Sequence, residues 1–274
     1  MATAKSGTSW SETFYTANKG GSNSSYYRWV FTGALNSVNL TNKTANVTIT
    51  LTAGSLYGGY AQWRSEQVNV HVQKGSTVCN SKTTYYVATI GRGNSSTSNT
   101  YYDRAQTVSS AGGTDYTEYS DGKFFTWTGD VAYDISGSTG SLVLSIYHTV
   151  VTPSSYSSYL PASVSKTERV TWTVPNIYYM TYSGNGGTPS KTGEWQRAGY
   201  TVTLPTATRA NSTGTSALTH TFNTNGGNTP SPSTKTTTKT TTTYYTFNKW
   251  WSGSTSYAAS ATYTVNAGTT LTAC

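Results

Sequence analysis

The sequence predicts an all-β protein: an N-terminal antiparallel β-sandwich, jelly-roll or immunoglobulin-like, over residues 1–175, followed by a smaller β domain over 176–274. Three observations lead there. Alternating apolar/polar runs recur at short spacing and are parted by Gly, Asn and Ser, which is the period of half-buried strands. Charged residues are only 10% of the 274, yet aromatics reach 14%, with 23 Tyr and 8 Trp, so the chain departs from the high charge and few aromatics of disordered segments. Tyr, Trp and Thr suit a pleated surface, and no stretch of ten residues keeps a clear 3.6-residue apolar period.

The runs follow in order. Tyr26–Thr32 comes first. Ala45–Thr52 places Val47, Ile49 and Leu51 on one face, and Gln67–Gln73 does the same with Val68, Val70 and Val72. Thr84–Ile90, Lys123–Thr128 and Ser141–His148 continue the series, and Thr167–Val174 closes it before Pro175. About eight such strands suit a two-sheet sandwich. The Thr and Ser between apolar positions fit one solvated face per sheet.

The domain boundary is set at Pro175-Asn176, where an alternating strand ends, a proline intervenes and acidic residues almost vanish. The chain carries +8 overall; residues 1–175 hold 12 Lys/Arg and 9 Asp/Glu, and the remainder holds 6 and 1. The cations are scattered singly, without the concentrated stripe or module that nucleic acid requires, so no nucleic-acid partner is expected. No run is long and apolar enough to span a bilayer, and no membrane insertion is expected. Cys79 and Cys274 are too few for a disulfide framework and have no metal-ligand spacing around them; free thiols, no metal and no cofactor are expected.

Residues 229–243, Thr-Pro-Ser-Pro-Ser-Thr followed by a Lys/Thr tract, read either as a flexible linker or as an exposed, β-branched strand pair. The resumption of strand-like phrases at Tyr244 favours the second reading.

Those phrases form an ordered set. Tyr182 to Gly187 closes an alternating run with Asn-Gly-Gly. Val202-Thr203-Leu204-Pro205-Thr206 follows, then Tyr245-Thr246-Phe247-Asn248-Lys249-Trp250, then Ser256–Ala259, Tyr263-Thr264-Val265 and Thr270–Ala273. In this order they resemble the internalin-type B-repeat, also called the Listeria–Bacteroides repeat, over residues 178–274. A second Asn-Gly-Gly at 225–227 makes the segment an enlarged unit or one and a half repeats. The resemblance implies a β-grasp-like unit of the kind used in bacterial surface proteins and phage virion proteins, with no catalytic residues. Residues 1–175 resemble, more loosely, the sandwich regions of minor structural proteins of siphophages.

Candidate chemistry is sparse. Asp103, Asp115, Glu118, Asp121, Asp130 and Asp134 cluster in sequence, and two carboxylates could serve glycoside hydrolysis. The segment Thr114–Gly122 could also offer oxygen ligands to calcium, but it lacks EF-hand spacing and reads better as a solvated turn. His71, His148 and His220 are far apart, and no Gly-x-Ser-x-Gly elbow is present. The chain is therefore expected not to be an enzyme.

Aromatics remain. Tyr57, Tyr60, Tyr101, Tyr102, Tyr116, Tyr119, Tyr156 and Tyr159 are the candidate ligand-binding residues, since tyrosine offers a stacking face for sugars and large contact area at low entropy cost.

The composition is that of an extracellular adhesin, yet no apolar signal segment follows Met1. A virion protein reconciles the two, because it assembles inside the host and leaves by lysis. The expectation is a bacteriophage virion structural protein on the particle surface, as capsid decoration, tail tip or fibre. Its expected partners are other virion proteins and host cell-surface polysaccharide, in a homo-oligomeric or multi-copy assembly. The alternative is a secreted bacterial adhesin or carbohydrate-binding module.

Overall fold

In the computed structural model the described residues are 2–15, 26–56, 65–87, 101–103, 105–110, 115–151 and 166–274. Among them there are strands, turns and bends but no helix, so the fold is all-β. The chain divides into two units, Met1–Ile177 and Tyr178–Cys274.

Unit 1 is built from β1 (Ala2–Ser6), β2 (Ser9–Tyr15), β3 (Tyr26–Asn39), β4 (Thr44–Leu56), β5 (Ser65–Lys74), β6 (Thr77–Val87), β7 (Tyr101–Asp103), β8 (Ala105–Val108), β9 (Tyr116–Tyr119), β10 (Lys123–Ala132), β11 (Asp134–Ser136), β12 (Thr139–Val151) and the first part of β13 (Lys166–Ser183). One sheet runs β10-β4-β3-β2, with β7 continuing on β4 beyond the end of β10. The other runs β13-β12-β5-β6-β8-β9, with β11 on β12 and β1 parallel to β13. The β10–β4, β4–β3, β3–β2, β4–β7, β11–β12, β12–β5, β5–β6, β6–β8 and β8–β9 pairings are antiparallel.

The period-two pattern decides which side of each strand is buried. Val47, Ile49 and Leu51 of β4, Val68, Val70 and Val72 of β5, and Leu142, Leu144 and Ile146 of β12 all have their side chains buried. Rings meet between the two sheets: Trp29 of β3 lies 4.7 Å from His148 of β12, and Trp10 of β2 lies 6.1 Å edge-on from Trp172 of β13. Lys82 of β6 donates to the Phe124 carbonyl of β10 at 2.7 Å. These contacts make unit 1 a two-layer β-sandwich of the kind expected when both sheets turn an apolar face inward.

One strand-end expectation fails. The strand predicted to end before Pro175 continues through it to Ser183. The alternation shifts at that point: Val170, Trp172 and Val174 are buried, then Ile177, then Met180 and Tyr182. Proline costs a strand only where its missing N–H was needed, and the Pro175 carbonyl still accepts the Tyr133 hydroxyl at 3.1 Å.

Unit 2 holds the rest of β13 and β14 (Thr188–Pro189), β15 (Gly193–Arg197), β16 (Thr201–Thr203), β17 (Ala207–Thr208), β18 (Ser212–Thr221), β19 (Thr234–Thr243), β20 (Lys249–Ser252), β21 (Thr255–Ala258), β22 (Thr262–Thr264) and β23 (Thr269–Ala273). β23 lies parallel to β13 and antiparallel to β20, which pairs in turn with β21. Two short ribbons, β14–β17 and β16–β22, complete the body. Its core is Met180, Tyr182, Val202, Leu204, Ala207, Trp250, Val265, Leu271 and Ala273. The phrases that stood out in the sequence supply most of that list. Trp250 is fully buried and satisfies its indole N–H on the Pro205 carbonyl at 2.7 Å.

The two Asn-Gly-Gly words fold alike. Asn185 and Gly186 have φ of 47° and 83°, and Asn225 and Gly226 have 44° and 86°. In each, the last glycine donates its N–H three residues back at 2.8 Å, to Gly184 and Thr224. Positive φ at both central residues is the type I′ geometry that Asn and Gly adopt most readily.

Candidate functional site

β18 and β19 form a ribbon of their own, paired only with each other and in unbroken register from Ser212↔Thr243 to Thr221↔Thr234. All twenty of their residues are exposed. The low-complexity tract is therefore a strand of a hairpin. Thr is what lets such a strand exist outside a core: β-branching favours the extended backbone, and the hydroxyl keeps the side chain hydrated.

Register sorts the side chains onto two faces. One carries Thr213, Thr215, Ala217, Thr219 and Thr221 opposite Thr242, Thr240, Thr238, Thr236 and Thr234, so nine of its ten positions are Thr. The other carries Ser212, Gly214, Ser216, Leu218 and His220 with Thr243, Thr241, Lys239, Thr237 and Lys235. Cross-strand hydroxyl contacts link Thr219 with Thr236 at 3.5 Å, and His220 Nε2 lies 3.2 Å from the Thr237 hydroxyl. Ten residues per strand give a reach of about 30 Å.

At the root of the ribbon the Arg209 guanidinium stacks 4.0 Å from the Tyr245 ring centre, and its Nη1 lies 3.5 Å from the Asn185 carbonyl. Asn211 accepts the Tyr245 backbone N–H at 3.2 Å. Beside them Gly184, Ala207, Thr208, Phe247 and Ala273 help line an open hollow of about 90 Å³. Small-molecule sites usually occupy roughly 300–1,000 Å³, so this hollow suits one small polar group and not a substrate.

The tyrosines singled out in the sequence are not all described. Tyr57, Tyr60, Tyr156 and Tyr159 lie outside the described residues. Tyr101 and Tyr102 sit in β7, opposite Leu56 and Ser55 of β4. Tyr116 and Tyr119 sit in β9, opposite Val108 and Ala105 of β8, in the other sheet. Tyr119 is half-buried, and its hydroxyl accepts Lys82 Nζ at 3.0 Å. That hydrogen bond holds the phenol below its ordinary pKa against the opposing effect of burial.

Several described carboxylates are tied to a partner. Glu12 pairs with Lys5 at 2.5 Å, Asp134 with Lys74 at 2.8 Å, and Asp130 accepts Asn46 at 2.6 Å. Asp121 caps the turn into β10 by accepting the Lys123 N–H at 3.0 Å, which, with the Lys123 ammonium, holds its carboxyl below the usual range. Of the segment read as a solvated turn, Tyr116–Tyr119 is instead strand β9, and the turn is confined to its end, closed by Gly122 N–H on the Tyr119 carbonyl; Thr114 lies outside the described residues. Among the described residues no three of His, Cys, Asp and Glu gather to hold a metal ion. Cys79 and Cys274 are both free thiols.

The sequence pointed to tyrosines and passed over the ribbon as a site. The available signal was the lysine spacing: Lys235 and Lys239 are four apart in an otherwise all-Thr strand, which puts both on one face and leaves the other uncharged. No family model, curated protein or solved structure matches the chain.

Proposed function

We propose that the chain is a non-enzymatic structural protein of a bacteriophage particle, exposed on its surface as a decoration, tail-tip or fibre component. In this reading it docks on other virion subunits and contacts host-surface polysaccharide. The observation that carries it is the β18–β19 ribbon, twenty exposed residues, mostly hydroxylated, held in full register outside any core. Ordering such a ribbon costs chain entropy and buries little apolar area in return, which is explicable where surface contact is the task. Two further features support binding over chemistry: the hollow at its root is too small for a substrate, and Glu12, Asp121, Asp134 and Glu194 are each committed to a lysine. The B-repeat resemblance of residues 178–274, with its paired type I′ turns, points to the same class of surface module.

Mass spectrometry of purified particles, with labelled antibody locating the protein by electron microscopy, tests the proposal. Stoichiometric presence on the outside of intact particles is expected. Absence from intact particles would overturn it.

A further inference from the structure

The two outer edges of the ribbon are not equivalent. Phe222 donates its N–H to the Ser233 carbonyl at 3.0 Å, one step beyond the Thr221↔Thr234 pair. Hydrogen-bonded and non-bonded pairs alternate along an antiparallel ladder. Even-numbered residues of β18 therefore turn their N–H and C=O toward β19. Thr213, Thr215, Ala217, Thr219 and Thr221 turn theirs outward, where no described strand pairs with them. On β19 the outward set is the even-numbered threonines from Thr234 to Thr242.

Unpaired strand edges are templates for a further strand, and proteins protect them with lysine, proline or bulges. β19 carries Lys235 and Lys239, both exposed and without an ion-pair partner among the described residues. β18, Ser-Thr-Gly-Thr-Ser-Ala-Leu-Thr-His-Thr, has no Lys, Arg, Asp, Glu or Pro and no break in its register. Two copies joined through β19 would bring four ammonium groups together. Two copies joined through β18 would bring no Lys, Arg, Asp or Glu side chains of that strand together.

We propose that β18 is a self-pairing edge: two copies of this chain join β18 to β18 antiparallel, about a two-fold axis perpendicular to the ribbon. The register of greatest overlap sets Ala217 against Ala217 of the partner subunit, with Thr215 against Thr219 of the partner subunit. These are the outward-turned residues, so the joint can form up to about ten N–H···O=C bonds. The two-fold keeps both threonine faces on one side, giving a four-stranded sheet with one continuous hydroxyl face. A two-stranded ribbon is marginal in water, and four strands relieve that. This inference goes beyond the particle location proposed above and fails separately: a protein that stays monomeric removes it and leaves the particle assay untouched.

The test uses the full chain in analytical ultracentrifugation across the micromolar range. Wild type should be a dimer that dissociates on dilution. Ala217→Pro deletes one outward N–H while sparing the ladder to β19, as edge strands tolerate, and should weaken the dimer at least about tenfold. Thr238→Pro makes the mirror change on the lysine-guarded edge and should leave the dimer intact. Hydrogen exchange gives a reading free of mutation: the Thr215, Ala217 and Thr219 amides should be protected at high concentration only, and those of Ser216 and Leu218 at both. A monomeric wild type, a dimer indifferent to Ala217→Pro, or equal loss from both prolines would overturn the inference, as would outward amides that exchange fast at every concentration.

Discussion

Trp29 and His148 face each other between the two sheets of unit 1, ring centres 4.7 Å apart and both side chains buried. Phe124 meets the other side of Trp29 edge-on at 5.7 Å, and Phe31 meets His148 at 5.6 Å. Four rings, three from β3 and β10 of one sheet and one from β12 of the other, thus close the middle of the sandwich. Trp29→Ala would remove the largest of them and leave a cavity that this neighbourhood cannot refill, because its strands are held by long ladders. Unit 1 should lose about 3–5 kcal/mol, measured as a shift of the urea midpoint. A loss below about 1 kcal/mol would mean the site collapses freely and the aromatic contact is not central.

Gly33 sits directly opposite Trp10 in the β2–β3 ladder. The indole lies flat over it: a Cβ built on Gly33 would come within 2.3 Å of Trp10 Nε1, far inside contact distance. Gly33→Ala should push the indole away from Trp172 and cost about 1–3 kcal/mol. Near-ultraviolet circular dichroism reports the Trp10–Trp172 geometry directly, and an unchanged spectrum with unchanged stability would contradict the packing described.

What could be read from the sequence, and what could not, follows from the range of the interactions. Strand existence was legible because burial alternates every second residue, as at Val47, Ile49 and Leu51, and the runs named there fall in strands wherever they are described; residues 88–90 of the Thr84–Ile90 run lie outside the described residues. The type I′ turns were legible because Asn and Gly announce positive φ locally. The end of β13 was not, because Pro175 is a local stop signal overruled by pairing further along, where Met180 to Ser183 lie beside β23. The short strands β8, β9 and β11 were missed since three or four residues carry too little periodicity. The ribbon was half legible: its strands were weighed, but its edge asymmetry depends on register, which a tract of near-identical threonines does not specify.

The matched turns allow a comparison within one chain. Gly186 and Gly226 have nearly the same φ, but a Cβ on Gly186 would meet the Arg209 guanidinium at 3.2–3.4 Å, while Gly226 faces open space. Valine at either position suffers the left-handed backbone penalty, about 1–2 kcal/mol. Gly186→Val should also disturb the Arg209–Tyr245 stack at the ribbon root and destabilise unit 2 more than Gly226→Val does. Equal effects on thermal unfolding would show that the Arg209 contact carries no weight.

Glu194 is the sole acidic residue of unit 2 and is half-buried. Burial alone would raise its pKa, but hydrogen bonds from Lys191 at 2.5 Å, Gln196 at 2.7 Å and the Tyr182 hydroxyl at 2.9 Å outweigh it and hold the carboxyl below its ordinary value of 4.5. Tyr182 responds in the opposite sense: burial first, then the carboxylate it donates to, pushes its phenol well above the usual range. A carboxyl with a lowered folded pKa binds protons more readily in the unfolded chain. Its stabilisation is therefore full above the unfolded value and is lost as pH falls through the folded one. Unit 2 should hold its stability down to about pH 4.5 and weaken progressively below it. Glu194→Gln should flatten that acid limb and lower stability at neutral pH, because Lys191 loses its counter-charge and Tyr182 a charged acceptor. Urea midpoints from pH 7 down to 3 check both effects, and an acid limb of unchanged steepness in the Gln variant would assign the pH dependence to a group other than Glu194.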